Sequence, residues 1–152
     1  MFKVLLKSLR NIYSLKYRYL IIYGILIILV DRVIKISILA SGDFYTKNSG
    51  IAFGLGKNVP GILFFLIVLG IVILIYLSRQ LNLNKVANQV ALSMILAGGI
   101  SNILDRIFYG YVIDYINIFS LSAFNLADLS IVIGSIIILK NYLLLPEVEK
   151  GK

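Results

Sequence analysis

The sequence predicts a membrane α-helical fold with four transmembrane helices, a small extracytoplasmic β-sheet cradle and both termini in the cytoplasm. Three observations carry this expectation. Hydrophobic residues make up 60% of the 152-residue chain and the mean hydropathy is +0.96, both far above the soluble globular norm. Four apolar stretches, Tyr19 to Val30 with an extension toward Ile38, Gly61 to Leu77, Val86 to Ile103 and Leu126 to Leu145, each approach the roughly 20 residues that a helix needs to cross a bilayer core. Basic residues gather before the first stretch (Lys3, Lys7, Arg10, Lys16, Arg18), between the second and third (Arg79, Lys85), and late in or after the fourth (Lys140, Lys150, Lys152). The positive-inside rule assigns all of these to the cytoplasm.

Each element has its own justification. Residues 1–18 form a basic amphipathic N-terminal segment, with Lys3, Lys7 and Arg10 at helical spacing on one face, as in a helix lying in the membrane interface. No small-residue cleavage site follows the first apolar run, so the segment is expected to be retained. Residues 19–145 form a single four-helix membrane domain, and residues 146–152 a short cytoplasmic tail. In the first helix Asp31 and Lys35 stand at i and i+4, the spacing of a same-face ion pair. The segment from about Ser41 to Pro60 contains Asn48-Ser49-Gly50 and Gly54, residues that favour turns.

The second helix has no charged or strongly polar residue between Ile62 and Leu77, which suits a lipid-facing span. Leu81 to Asn84 is a short connector. The third helix carries Asn88, Gln89, Ser93, Gly98, Gly99, Ser101 and Asn102, small and polar residues that mark a helix enclosed by its neighbours. Between about Arg106 and Ala123, Tyr111, Ile113, Tyr115 and Asn117 alternate with Val112, Asp114, Ile116 and Ile118, a period-two signal for a short strand.

The chain has no cysteine and no histidine, which removes disulfides, thiol nucleophiles, Ser-His-Asp triads and the usual zinc sites. No metal and no cofactor is expected. The net charge of +8 sits around long apolar runs, a distribution that points to anionic membrane lipids as partners and not to nucleic acid. All five aspartates, Asp31, Asp43, Asp105, Asp114 and Asp128, fall on or near the outer side in this topology.

A carboxylate near hydrocarbon costs about 2.5 to 3.5 kcal/mol at a helix centre, so such acids usually face a cavity or a site. Asp114 on the outer strand and Asp128 in the first turn of the fourth helix can share a proton if they lie close together in a partly dry site. One member then acts as base toward a water while the other polarises a carbonyl, which is aspartyl peptidase chemistry. The competing structural reading makes Asp128 a helix cap and Asp114 a solvated strand residue. Asn102, Asp105 and Arg106, at i, i+3 and i+4, either present donors to a substrate or terminate a helix among headgroups. Ser49, Ser101 and Ser130 lack a histidine or a persuasive lysine partner, which disfavours a serine mechanism.

Five blocks occur in order: Asp31-x-x-x-Lys35, Asn48-x-Gly50-x-Ala52-Phe53-Gly54, Gly98-Gly99-x-x-Asn102-x-x-Asp105-Arg106, Val112-x-Asp114-x-Ile116 and Phe124-Asn125-x-Ala127-Asp128. Together they resemble the lipoprotein signal peptidase, or signal peptidase II, family. The resemblance implies a membrane aspartyl endopeptidase of the bacterial cytoplasmic (inner) membrane, with its active site at the extracytoplasmic face. It would cut a diacylglyceryl-modified prolipoprotein immediately before the lipidated cysteine. Asp114 and Asp128 match the catalytic pair. Asn48, Asn102, Arg106 and Asn125 match substrate-positioning or dyad-supporting positions, and Asp31, Lys35, Gly50 and Asp105 match structural supports. The partners expected are prolipoprotein substrates and membrane lipids, with the enzyme a monomer.

Two departures from the family pattern are visible. Ile34 stands where threonine is frequent, and no tryptophan precedes Phe124. A presenilin-like protease is disfavoured because no Gly-x-Gly-Asp motif occurs. From another class, a proton-coupled transporter or channel subunit would line an aqueous path with the same acids.

Overall fold

The computed structural model describes residues 17–49, 76, 82–118 and 122–144. Three long helices and four short strands are seen there: α1 (Arg18–Ser41), β1 (Thr46–Asn48), α2 (Val86–Tyr109), β2 (Val112–Asp114), β3 (Ile116–Ile118), β4 (Ser122–Phe124) and α3 (Leu126–Leu143). The expected second span, Gly50, most of the basic N-terminal segment and the tail lie outside the described residues.

Helix α1 reverses the pattern of a soluble helix. Its buried residues are Asp31 and Lys35, whereas Ile21, Ile25, Leu29, Val33 and Ile36 are exposed. In water that arrangement would leave apolar surface wet and charge dry. In a bilayer the apolar side chains meet lipid tails, and the charges find partners inside the bundle.

Helix α2 is the central element, in contact with both α1 and α3. It runs six residues beyond the end of the apolar stretch at Ile103, so Asp105 and Arg106 are helical, as their spacing from Asn102 implies. The helix stops at Gly110, whose φ of 78° is the left-handed conformation that glycine adopts without penalty and whose N–H donates to Arg106 O at 3.1 Å. At 24 and 18 residues, α2 and α3 are both long and apolar enough to cross a membrane.

Two glycines set the distance between these helices. A Cβ on Gly98 would lie 2.4 Å from Ala127 O, and one on Gly134 would lie 2.6 Å from Ala91 O. Backbone meets backbone at both points, the close approach that small residues permit in membrane bundles. Gly99 does not face α3: an added Cβ there meets no described atom within 4 Å. One residue step separates the two positions on the helix surface by about 100°.

At the other end of α2, buried amides tie the bundle together. Asn141 Nδ2 donates to Asn88 Oδ1 at 2.7 Å, Asn88 Nδ2 to Asn82 O at 3.0 Å, and Gln89 Nε2 to Leu83 O at 2.8 Å. The connector before α2 is thus held by side chains of its own helix.

The strands form two antiparallel pairs, β1 with β2 and β3 with β4. Thr46 faces Asp114 across the first, and Ile116 faces Phe124 across the second. The single alternating strand expected over residues 111–118 is therefore two strands broken at Tyr115, each with a different partner. Alternation also fails within β2, where Val112, Ile113 and Asp114 are all buried. This strand pairs with β1 along one edge and rests on the end of α2, so both of its faces are covered.

Candidate active site

A buried ionic cluster lies beneath the strands. Lys35 Nζ reaches Asp31 Oδ2 at 2.8 Å, Asp105 Oδ2 at 2.7 Å and Asn102 Oδ1 at 3.3 Å, which accounts for its three N–H donors. Arg32 Nη2 reaches Asp105 Oδ1 at 2.6 Å and Asp31 Oδ2 at 3.4 Å, and Ser101 Oγ also donates to Asp31 Oδ2. Two acids and two bases balance, as burial requires. Asp105 further accepts the Ile113 N–H at 3.2 Å, which fastens β2 to α2 one residue before Asp114.

Above this base stand the two aspartates proposed from sequence. Asp114 is 1% exposed, which excludes the solvated-strand reading. Its Oδ2 accepts from Asn48 Nδ2 at 2.9 Å and its Oδ1 from Asn125 Nδ2 at 2.7 Å. Asp128 is a helix cap as the structural reading expected: its Oδ2 accepts the Asn125 N–H at 3.3 Å while Asn125 Oδ1 accepts the Asp128 N–H at 2.9 Å, a reciprocal capping box. Capping leaves the other oxygen available, and Asp128 Oδ1 accepts from Asn102 Nδ2 at 2.7 Å.

Two asparagines therefore link the carboxyls. Asn125 Nδ2 also reaches Asn102 Oδ1 at 3.2 Å, so a chain of amides runs from Asp114 through Asn125 and Asn102 to Asp128. The Lys35 ammonium on Asn102 Oδ1 fixes the orientation of that amide, with its NH2 turned to Asp128. Asn48, Asn102, Asn125, Asp114, Asp128, Lys35, Asp31 and Asp105 are brought together in this way. Arg106 stands at the margin, its Nη1 donating to Asn102 O at 3.3 Å.

Burial pushes the Asp114 carboxyl up to about 6; the negative charge of Asp128 adds to this, while the Asn48 and Asn125 donors and the positive charge of Lys35 oppose it. Because the folded value lies above the ordinary 3.8, Asp114 contributes stability that is fully present below pH 3.8 and is lost as pH rises through about 6. Asp114→Asn removes this slope. The thermal midpoint of the variant, relative to the parent, should therefore rise between about pH 4 and about pH 6.5. A difference independent of pH would contradict a buried, protonatable Asp114.

Three contributors escaped the sequence reading. Arg32 carried no signal beyond being a further charge in the turn that holds Asp31 and Lys35. Ser101, expected as one of the packing residues of the helix and weighed as a nucleophile, binds Asp31, and Ser130 donates to Leu126 O in its own helix. Tyr115 was read as one member of an alternating strand. No group of metal-ligating side chains occurs among the described residues.

The fold is shared with two solved structures, each described as a bacterial membrane enzyme. One superposes with a TM-score of 0.65 at 27% identity, covering 88% of this chain and 92% of the other, and the second with 0.63 at 25%, covering 84% and 94%. Fold and likeness thus define a class, the helical bacterial membrane enzymes. The family profile described as "Signal peptidase (SPase) II" matches residues 23–144. The chain belongs to the signal peptidase II family. Similar relatives include the lipoprotein signal peptidase of Moorella thermoacetica, 37% identical over 108 residues covering 71% of each chain. That of Wigglesworthia glossinidia brevipalpis is 40% identical over 103 residues, covering 64% of this chain and 67% of the relative.

Proposed function

We propose that this protein removes the signal peptide from diacylglyceryl-modified prolipoproteins, cutting immediately before the lipidated cysteine, with Asp114 and Asp128 as a general acid/base pair. The observation that carries this reading is the amide chain from Asp114 through Asn125 and Asn102 to Asp128, which holds two carboxyls of different chain segments in one buried cluster. Family membership favours a peptidase over the transporter reading.

Two like charges in one dry site do not both ionise easily, so the pair holds a single proton. The ionised member takes a proton from water, whose oxygen attacks the scissile carbonyl carbon. The protonated member donates to the carbonyl oxygen as negative charge builds there. When the C–N bond breaks, the pair gives one proton to the leaving amine of the cysteine and recovers one from a hydroxyl of the gem-diol as the carboxyl product forms, so it returns to one proton. Neither a metal nor a covalent intermediate is required.

The geometry favours Asn102 and Asn125 as supports of the pair over direct substrate ligands, because their amides are occupied by the aspartates and by each other. Asn48 on β1, which also donates to Asp114, and Arg106 at the end of α2 border the cluster, where a peptide would approach. Four spans with both termini in the cytoplasm would set this end of the bundle at the outer face of the bacterial inner membrane. Tyr45 and Tyr111 stack at a centroid distance of 6.4 Å on this side, and Phe44 and Phe108 are exposed beside them, as suits a headgroup-level aromatic belt. A lipid-anchored substrate would meet the pair at that depth, and a monomer suffices.

The test compares a diacylglyceryl precursor with its unlipidated form in the same proteoliposomes. The lipidated form should be cut at least about a hundredfold faster, since anchoring supplies the local concentration. Equal rates for both would rule out the proposed specificity.

A further inference from the structure

We propose that Tyr115 is a positioning residue that braces the two carboxyl-bearing segments, its hydroxyl accepting from Leu126 N–H beside the buried Asp31 carboxylate. Three observations support the brace. Tyr115 follows Asp114 directly, at the break between β2 and β3, so its ring leaves the chain beside the first carboxyl. Its hydroxyl lies 3.1 Å from Leu126 N, the first amide of α3, two residues before Asp128. That amide has no partner within its own helix, because the first turn of any helix leaves its donors unpaired.

The third observation concerns the hydrogen of the same hydroxyl. Having accepted from Leu126, the phenol still has a proton to donate. Among the described residues Asp31 Oδ1 is a buried oxygen with no hydrogen-bond partner, although Oδ2 of the same carboxylate is crowded by Lys35, Ser101 and Arg32. Burial, opposed by the Leu126 contact and reinforced by the neighbouring Asp31 carboxylate, pushes the Tyr115 hydroxyl up to about 12. A phenol at that value stays protonated and remains a donor throughout the working range of pH.

One side chain thus joins strand, helix and ionic base. The capping box orients Asp128 within α3, and Asn125 Nδ2 already ties that helix to β2 through Asp114 Oδ1 and Ile113 O. Tyr115 adds a second tie, a bond that spans from the neighbour of one carboxyl to the first turn that carries the other.

The inference rests on the proposed aspartyl mechanism, and the experiment separates the two. Tyr115→Phe keeps the ring and deletes the hydroxyl that accepts from Leu126 and lies beside Asp31. In the full chain, with the lipidated precursor as probe, kcat should fall about tenfold while KM stays within about twofold, because misplacement of the pair affects the reaction and not the docking. Amide exchange at Leu126 should accelerate by about tenfold as its acceptor disappears. In a double-mutant cycle with Asp31→Asn the two losses should be non-additive by about threefold. Unchanged kcat, unchanged exchange at Leu126, or strictly additive losses would each overturn the brace. If exchange rises as stated while Asp114→Asn and Asp128→Asn still cleave normally, the contact stands and the aspartyl mechanism falls.

Discussion

Asp114→Asn and Asp128→Asn should each reduce cleavage of a lipidated precursor by at least about 10³-fold, with membrane insertion and helix content intact. General acid/base participation by one group contributes roughly 10² to 10⁴ in rate, and each substitution removes more than one role of a shared-proton pair. The amide is nearly the shape of the carboxyl, so the change is chemical before it is steric. At position 114 the carboxyl accepts from Asn48 on one oxygen and from Asn125 on the other. An asparagine there has one acceptor and must turn its NH2 toward one of those donors. Asn125 cannot rotate to relieve the clash without giving up the bond from Asp128 N to its Oδ1.

The same argument at position 128 sets an NH2 against either Asn102 Nδ2 or the Asn125 N–H. Each variant therefore loses about one hydrogen bond, on the order of 1 kcal/mol, which a folded membrane bundle tolerates. The loss of rate exceeds the loss of stability by a wide margin. Rates of cleavage above about one per cent of the parent in either purified variant would remove that residue from the mechanism.

What the sequence disclosed follows from which interactions are local. Asp31 and Lys35 are one helical turn apart, and their pairing could be read from spacing. The Asn125–Asp128 box is equally local, and it made the capping reading of Asp128 correct as far as it went. Spacing could not disclose the partners supplied from elsewhere: Ser101 and Arg32 meet Asp31 and Asp105 across the interface between α1 and α2, about 70 positions apart in the chain. Nor did periodicity show that β2 would be covered on both faces, because alternation assumes one wet side. The burial of Asp114 follows from that covering and excludes a solvated role for this strand residue.

The ionic base yields the largest expected effect on stability. Lys35→Met keeps most of the side-chain volume and removes a buried ammonium that contacts Asp31, Asp105 and Asn102. Two buried carboxylates then face one guanidinium, and the cluster goes from balanced to one net negative charge. Breaking a buried pair by deleting one partner costs about 3 to 5 kcal/mol, since the remaining charge is left without compensation. For a chain of this size that corresponds to a drop of roughly 10 °C in Tm. Removing one acid as well should restore part of the loss: Lys35→Met with Asp31→Asn leaves Arg32 opposite Asp105, a neutral pair at 2.6 Å. The double variant should therefore melt above the single one. It should remain slow in cleavage, because Asn102 no longer has the Lys35 contact that directs its NH2 to Asp128. Thermal unfolding of the three proteins in one detergent checks the order. A single variant within about 2 °C of the parent, or a double variant less stable than the single, would show that charge balance does not hold this base together.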